Sequence, residues 1–316
     1  MYNSKSYLIT GAAGFLGSHV VEQLLNMDAH VIGVDNFYSG RREFLQPFVS
    51  NPKFKLAELD IRDLDALTEL MCSVRPNVVI HLAALHFIPT AISDPTLTVS
   101  LNVHGTQSVL TASRLANVQT FWFASTGDVY APSDLPHSEN STIAPFNIYG
   151  LTKLMGEQLI SLESRYRPDA KFIVGRLFNL YGARETNPHI IPEIIKQLKE
   201  QHSSELHLGN IFPKRDMVPV DEAAKALIAM IEEAQLGVTT MNVATGIAWS
   251  MQELIEAIGK LRGQPIEIKI DPSKVRPVER NHLQADVTLL DRLIGWTPTG
   301  NLDRGLNSLL TSEGII

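Results

Sequence analysis

Near its start the chain reads Ser6-Tyr7-Leu8-Ile9-Thr10 and then breaks into Gly11-Ala12-Ala13-Gly14-Phe15-Leu16-Gly17, three glycines at G-x-x-G-x-x-G spacing. No other feature constrains the fold as tightly. Residues 15–27 (FLGSHVVEQLLNM) place apolar side chains at helical intervals, so the glycines fall between a short buried strand and a helix. In that turn Gly11 allows the tight bend, Gly14 lets the backbone approach a ligand, and Gly17 lets the helix pack closely on the strand. The free N–H groups of the helix start, helped by the helix dipole, attract an anion. The pyrophosphate of a dinucleotide fits, with Gly11, Gly14, Phe15, Leu16 and Gly17 as its cradle.

The rest of the first half repeats the alternation. Strands are predicted at 30–34, ending at Asp35, and at 54–58, 77–82, 118–125 and 171–178, with helices over about 64–74, 98–116 and 147–166 between them. Strands separated by helices imply right-handed crossovers and a parallel sheet covered on both faces, and an unbroken apolar run such as NVVIHL (77–82) suits a strand buried on both sides. After residue 178 the rhythm loosens around Pro188, Pro192 and Pro213. Helices at 190–200, from about 221 and at 250–261, strands near 206–208 and at 239–243, and a tail of short strands and a helix describe a smaller lobe. The expected fold is α/β: a Rossmann-type doubly wound parallel sheet with a smaller mixed α/β C-terminal substrate lobe. Residues 1–178 form the dinucleotide domain, 217–246 return to it, and 179–216 with 247–316 form the lobe.

Composition narrows the setting. The chain has 316 residues, 44% hydrophobic and 19% charged, enough to bury a core without covalent staples. A formal charge of −7 argues against a broad nucleic-acid surface. Cys72, the single cysteine, can form neither an intrachain disulfide nor a cysteine-based zinc site. No apolar run approaches the ~20 residues of a membrane helix, and no secretory leader is visible, so the expected location is cytoplasmic with no membrane partner. The histidines other than His81 and His86 form no H-x-x-x-H or similar signature, and no metal is expected.

Two acidic positions bear on the cofactor. Asp35, about 20 residues beyond the glycines, is placed to accept a hydrogen bond from a ribose 2′-OH and to repel a 2′-phosphate, with Asn36 assisting; this favours NAD over NADP. The same pair can simply cap a turn. Asp60, with Ile61 beside it, can accept from an adenine amine or can cap the next helix. Further on, Tyr149 and Lys153 stand four residues apart and share a helix face. A phenol has an ordinary pKa of ~10; a neighbouring ammonium and a cationic nicotinamide would bring it down, making Tyr149 a base that Lys153 supports while also reaching the cofactor ribose. Ser125-Thr126 ends the fifth strand at the sheet edge where such folds place their sites.

The combination resembles the extended short-chain dehydrogenase/reductase family, in its nucleotide-sugar epimerase and dehydratase branch. The likeness runs through TGAAGFLGSH, VDNFYSG, HLAALHFIPTAISDP, LNVHGTQSVL, FASTGDVYA, YGLTK, GRLFNLYG, GNIFPKRDMVPVDEAA, NVATG and RPVE…ADVTLLDRLIGWTP, nearly the whole chain. It implies a tightly held NAD, with Thr126 as the catalytic hydroxyl, Tyr149 as the base and Lys153 as its partner. Leu82, Ala83 and Ala84 match the loop that passes the cofactor, and Asn102 lies on the helix facing it. Asn179 matches a contact to the substrate diphosphate, and Arg215 and Arg276 match arginines near it. Guanidinium groups bind phosphate oxygens in pairs, although Asp216 and Glu279 offer those arginines ordinary ion-pair partners. The resemblance also implies a two-fold homodimer through the helices near 98–116 and 147–166, with Leu151, Leu154, Leu159 and Leu162 either forming its seam or facing the sheet.

The chain departs from the branch at informative places. The branch's 4,6-dehydratases carry an acidic pair after the catalytic hydroxyl; here Gly127-Asp128 keeps one carboxyl. Pro219 replaces a His or Tyr, Val278 a glycine, and His86 a Lys or Gln. The leading expectation is an NAD-dependent epimerase acting at C4 of a UDP-hexose through a 4-keto intermediate. A 4-ketoreductase or a dehydratase of nucleotide-linked deoxysugars competes, and a non-catalytic nucleotide sensor is the alternative from another class.

Overall fold

The computed structural model describes residues 5–201, 205–275 and 280–316. Along the first half run β1 (Ser6–Thr10), α1 (Phe15–Asn26), β2 (His30–Asp35), β3 (Phe54–Glu58), α2 (Leu64–Val74), β4 (Val78–His81), α3 (Ile88–Ser93), α4 (Pro95–Val99), α5 (Gly105–Leu115), β5 (Thr120–Thr126), α6 (Ile148–Tyr166) and β6 (Lys171–Leu177). Then come β7 (Asn179–Tyr181), α7 (Ile190–Gln201), β8 (Glu205–Leu208), β9 (Lys214–Pro219), α8 (Val220–Glu233), β10 (Gly237–Val243), β11 (Ala248–Ser250), α9 (Met251–Arg262), β12 (Glu267–Ile270), β13 (His282–Leu283), α10 (Thr288–Ile294) and α11 (Leu302–Ser312).

Seven strands form one parallel sheet in the order β3-β2-β1-β4-β5-β6-β10. The chain first winds outward from β1 to β3, then restarts at β4 and winds the other way. The C-terminal ends of β1 and β4 therefore flank the point where strand order reverses, the crevice in which open α/β sheets bind ligands. All four residues of β4 are buried, as expected of a central strand with helices on both faces. One face is covered by α1 and α8, which pack together, and the other by α2, α5 and α6. The second lobe has its own core, where Ile194, Leu254, Ile258 and Leu306 are fully buried between α7, α9 and α11. Its strands are mixed: β9 pairs parallel with β7 and β13 and antiparallel with β11, while β8 pairs with β12.

Three local differences from the sequence reading have physical causes. The single helix expected over 98–116 is interrupted. Asp94 caps α4 by accepting from Leu97 N, Pro95 supplies its first residue, and Ser100–His104 form a wider π turn before α5. The tail holds two helices rather than one, because Gly295, in the left-handed region at φ 74°, ends α10. The short strands β7, β9 and β11 are too brief and too polar to show a period of two; they exist because they pair with each other.

Candidate active site

The sheet edge and the second lobe enclose one cavity of about 1800 Å³. Gly11, Gly14, Phe15, Leu16 and Gly17 form part of its wall. Gly11 has φ 73°, and a Cβ there would meet the Ala83 nitrogen at 2.8 Å; a Cβ on Gly17 would strike the Gly11 carbonyl oxygen at 2.0 Å. Both positions therefore require glycine, one for the turn and one for the close approach of α1. Gly14 is the N-cap of α1 and has no side chain to cap it, so the first-turn amides are turned to the cavity. Those donors and the chemistry of the cradle fit a dinucleotide pyrophosphate.

Asp35 closes β2 at the cavity wall. Its Oδ2 accepts from Ala13 N at 2.9 Å and its Oδ1 from Phe37 N at 2.8 Å, so it ties the glycine turn to the next loop; burial raises its pKa. Each oxygen keeps a lone pair for a ribose hydroxyl. Asn36 and Ile61 also line the cavity, whereas Asp60 is not among the lining residues. Its carboxylate accepts from Arg62 Nε at 2.9 Å, Arg62 Nη2 at 2.7 Å and Asn36 Nδ2 at 3.0 Å; Arg62 holds it down to about 2. Asp63, not Asp60, caps α2; Asp60 instead holds Arg62 and the Asn36 amide.

Leu82, Ala83 and Ala84 line the cavity after β4. Asn102 does not: it is buried in the π turn, where Oδ1 accepts from Leu85 N at 2.7 Å and Nδ2 donates to Leu85 O at 2.9 Å and Thr152 Oγ1 at 3.0 Å. Asn102 thus clamps the loop after β4 to α6 instead of lining the cavity. A buried chain continues from it. Thr106 Oγ1 donates to Asn102 O at 2.6 Å, His81 Nε2 meets Thr106 Oγ1 at 2.9 Å, and His81 Nδ1 meets Thr10 Oγ1 at 2.7 Å. Burial, with Lys153's charge adding, drops His81 to about 3.

Tyr149 and Lys153 lie on the first turns of α6, which Asn147 starts by accepting from Gly150 N at 2.7 Å. The Thr126 side chain stands near enough to the Tyr149 hydroxyl to favour its phenolate, and its Oγ1 accepts from Asp128 N at 3.2 Å. Ser125 points to the opposite face, as alternation along a strand demands, and bonds Glu157, which Arg176 grips with Nε at 3.0 Å and Nη2 at 2.7 Å. Thr126 is therefore the strand-end hydroxyl at the site. Burial, then the Asp128 charge, push the Tyr149 pKa up, against the Thr126 hydrogen bond that favours the phenolate. The sequence reading expected the phenol to be lowered by its surroundings; in this structure the protein alone raises it.

From the second lobe, Asn179 and Arg215 line the same cavity. The ion pair open to Arg215 in sequence is not made with Asp216, whose carboxylate is buried and accepts from Thr245 N, Thr245 Oγ1, Gly246 N and Ala285 N. Arg276 lies outside the described residues, as do Val278 and Glu279. Sequence reasoning missed Arg280, which is buried, donates to Tyr130 O at 2.6 Å, and contributes positive charge at Asp128 with Arg215. It also missed Glu185, whose carboxyl burial pushes up to about 7; neither had a motif to mark it. A Cβ on Gly127 would press on the Phe178 ring at 3.2 Å, so a side chain at this position needs the ring to shift by a few tenths of an ångström.

The family model described as GDP-mannose 4,6-dehydratase matches residues 8–309. The chain belongs to that family. It is 33% identical over 306 residues to the UDP-glucose 4-epimerase of Mycolicibacterium smegmatis, covering 95% of each chain. Among solved structures, the UDP-glucose 4-epimerase of Bifidobacterium longum in complex with NAD⁺ and UDP superimposes with a TM-score of 0.88 at 26% identity, covering 98% of both chains. The UDP-glucuronic acid 4-epimerase of Bacillus cereus, in complex with UDP-glucuronic acid and NAD, does so with a TM-score of 0.88 at 28% identity, covering 98% of this chain and 99% of that one.

Proposed function

We propose that the protein is an NAD-dependent nucleotide-sugar 4-epimerase whose substrate is a UDP-hexose. The observation that carries this reading is a strand-end hydroxyl facing a helix-borne phenol beside a buried lysine, with a glycine, Gly127, packed against Phe178 where dehydration would need a second acid. The names of the relatives support the same reading. The glycine cradle, Asp35, Asn36, Ile61 and the Leu82–Ala84 loop hold the cofactor, and Lys153 reaches its ribose. NAD, when bound, supplies the oxidising and reducing capacity at C4 of the sugar and, in its oxidised form, a positive charge.

Tyr149 takes the proton of the 4-hydroxyl, with Thr126 holding that hydroxyl in line, and returns it when the opposite configuration forms. A phenolate needs compensating charge in a buried site, and Lys153 provides it from one helical turn away. Asn179, Arg215 and Arg276 bind the diphosphate, anchoring the nucleotide while the 4-keto sugar turns over between the two half-reactions. The proton taken is the proton returned and C4 ends at the oxidation level at which it began, so the reaction needs no added reductant. We also place the protein in the cytoplasm, and as a homodimer through α5 and α6. Leu154 and Leu159 pack on the core, but Leu151 and Leu162 are exposed, as are Met155 on the same helix and Leu115 at the end of α5.

The test is incubation of purified protein with UDP-, dTDP-, CDP- and GDP-sugars without reductant, read by mass spectrometry and NMR. A new isomer of unchanged mass from a UDP-hexose is expected. Loss of water would make it a dehydratase, and turnover only with stoichiometric NAD(P)H a ketoreductase; either result overturns the proposal.

A further inference from the structure

One side-chain cluster has no part in the chemistry above. His86, in the loop between β4 and α3, meets Glu185 and His189, in the loop between β7 and α7, so that one ligand atom from each lies within 4.8 Å of the other two. His86 is remote in sequence from Glu185 and His189 and comes from the other lobe, which is why no histidine spacing revealed the cluster. All three line the cavity wall. We propose that His86, Glu185 and His189 form a binding site for a divalent transition-metal ion, with its remaining coordination position open to the cavity.

Two imidazoles and one carboxylate are the donor set of open zinc sites and suit neighbouring first-row ions as well, whereas calcium and magnesium prefer oxygen alone. With bonds of 2.0–2.1 Å, tetrahedral ligand atoms stand about 3.3 Å apart, so the side chains must close by an ångström or so, within reach of rotations about their own bonds. The surroundings prepare the ligands. His86 makes a hydrogen bond to the backbone of Ala84 while its Nε2 faces Asn187 Nδ2 at 2.9 Å. A ring that donates from one nitrogen to a carbonyl keeps the other as a lone pair for metal, as metal-ligating histidines usually do. Glu185 Oε1 accepts from Thr186 N at 2.8 Å and Asn187 N at 3.0 Å, which fixes the carboxylate and leaves its second oxygen for a cation. His189 stacks edge-on against Phe87, ring centroids 5.3 Å apart, which sets its plane. Asn187 can rotate its amide to present oxygen instead of nitrogen to the same ion.

The site does not depend on the epimerase reading, and its test reads binding rather than turnover. The full-length protein with its cofactor, washed with chelator, is titrated with Co²⁺ followed by visible absorption and then displaced with Zn²⁺. One equivalent should bind with the d–d bands of a four- or five-coordinate site. His189→Ala, Glu185→Gln and His86→Ala should each weaken binding at least ~10-fold, since even indirect supports of metal ligands carry that much. Circular dichroism checks that each variant is folded, and any two folded variants decide the matter. Cys72→Ser and His207→Ala, which remove the exposed thiol and the surface His207–Glu205 pair, should leave binding unchanged. Absence of stoichiometric binding, binding that survives two of the cluster variants, or binding lost in His207→Ala or Cys72→Ser would each overturn the proposal.

Discussion

Lys153 Nζ stands 6.0 Å from the centroid of the Tyr149 ring and 4.9 Å from that of Phe123, one turn along α6 from the phenol and buried. Burial brings the lysine down to about 7 while it drives the tyrosine up. Desolvation penalises both charged forms at once; an ammonium and a phenolate formed together in this site would each offset that cost for the other.

That coupling separates three substitutions. Tyr149→Phe keeps the ring's packing, so fold and NAD binding should persist while turnover falls ~10²-fold or more, the usual cost of losing a placed general base. Lys153→Met should lose turnover and also weaken NAD. Thr126→Val should lose less than Tyr149→Phe because the base remains. Steady-state rates beside calorimetric NAD titrations check all three; near-parental turnover by Tyr149→Phe would refute its role.

Asp128 raises the Tyr149 pKa through its charge. Removing that charge lowers the pKa, so the phenolate persists to lower pH. The acidic limb of the kcat/KM profile of Asp128→Asn should therefore move to lower pH than that of the parent. A limb that stays put, or moves up, would show that the two groups are not coupled.

The carboxylate of Asp35 that holds Ala13 and Phe37 is the group proposed to take the cofactor ribose. NAD should bind more tightly than NADP, and Asp35→Ala should narrow the gap by roughly tenfold, the order of one charge-assisted hydrogen bond at ~1.5 kcal/mol. Calorimetry with both dinucleotides measures it, and equal affinities in the parent would contradict the assignment.

His81 is a buried, neutral histidine whose folded pKa of about 3 lies below its ordinary 6.5. Between those values the unfolded chain binds a proton that the native protein refuses. Stability should therefore fall as pH drops through that window, by ~1.4 kcal/mol per pH unit from this group. His81→Gln, which can still bridge Thr10 and Thr106, should show a shallower fall in denaturation midpoint between pH 6 and 4. An unchanged slope would mean that His81 is not the responsible group.

The exposed Leu151 and Leu162 give the dimer a direct check. The parent should sediment as a dimer at micromolar concentration, and Leu151→Glu with Leu162→Glu should yield folded monomer. A monomeric parent would remove the assembly.

What the sequence determined by itself is whatever lies within one strand, turn or helix. The cradle of Gly11, Gly14 and Gly17, the unbroken apolar run of β4 and the i, i+4 face of Tyr149 and Lys153 depend on neighbours within a few residues. Their geometry follows from backbone sterics and periodicity, so they could be read before any fold was known. Tertiary structure alone decided the contacts between segments remote in the chain. It turned Asn102 inward to clamp Leu85, brought Asp60 to Asn36, packed Phe178 against Gly127, and split the four leucines of α6 between core and surface. It set Arg280 beside Asp128 and gathered His86, Glu185 and His189 from two lobes. Such contacts follow from how strands, helices and lobes pack on one another, and burial there changes proton affinities that no residue type carries by itself.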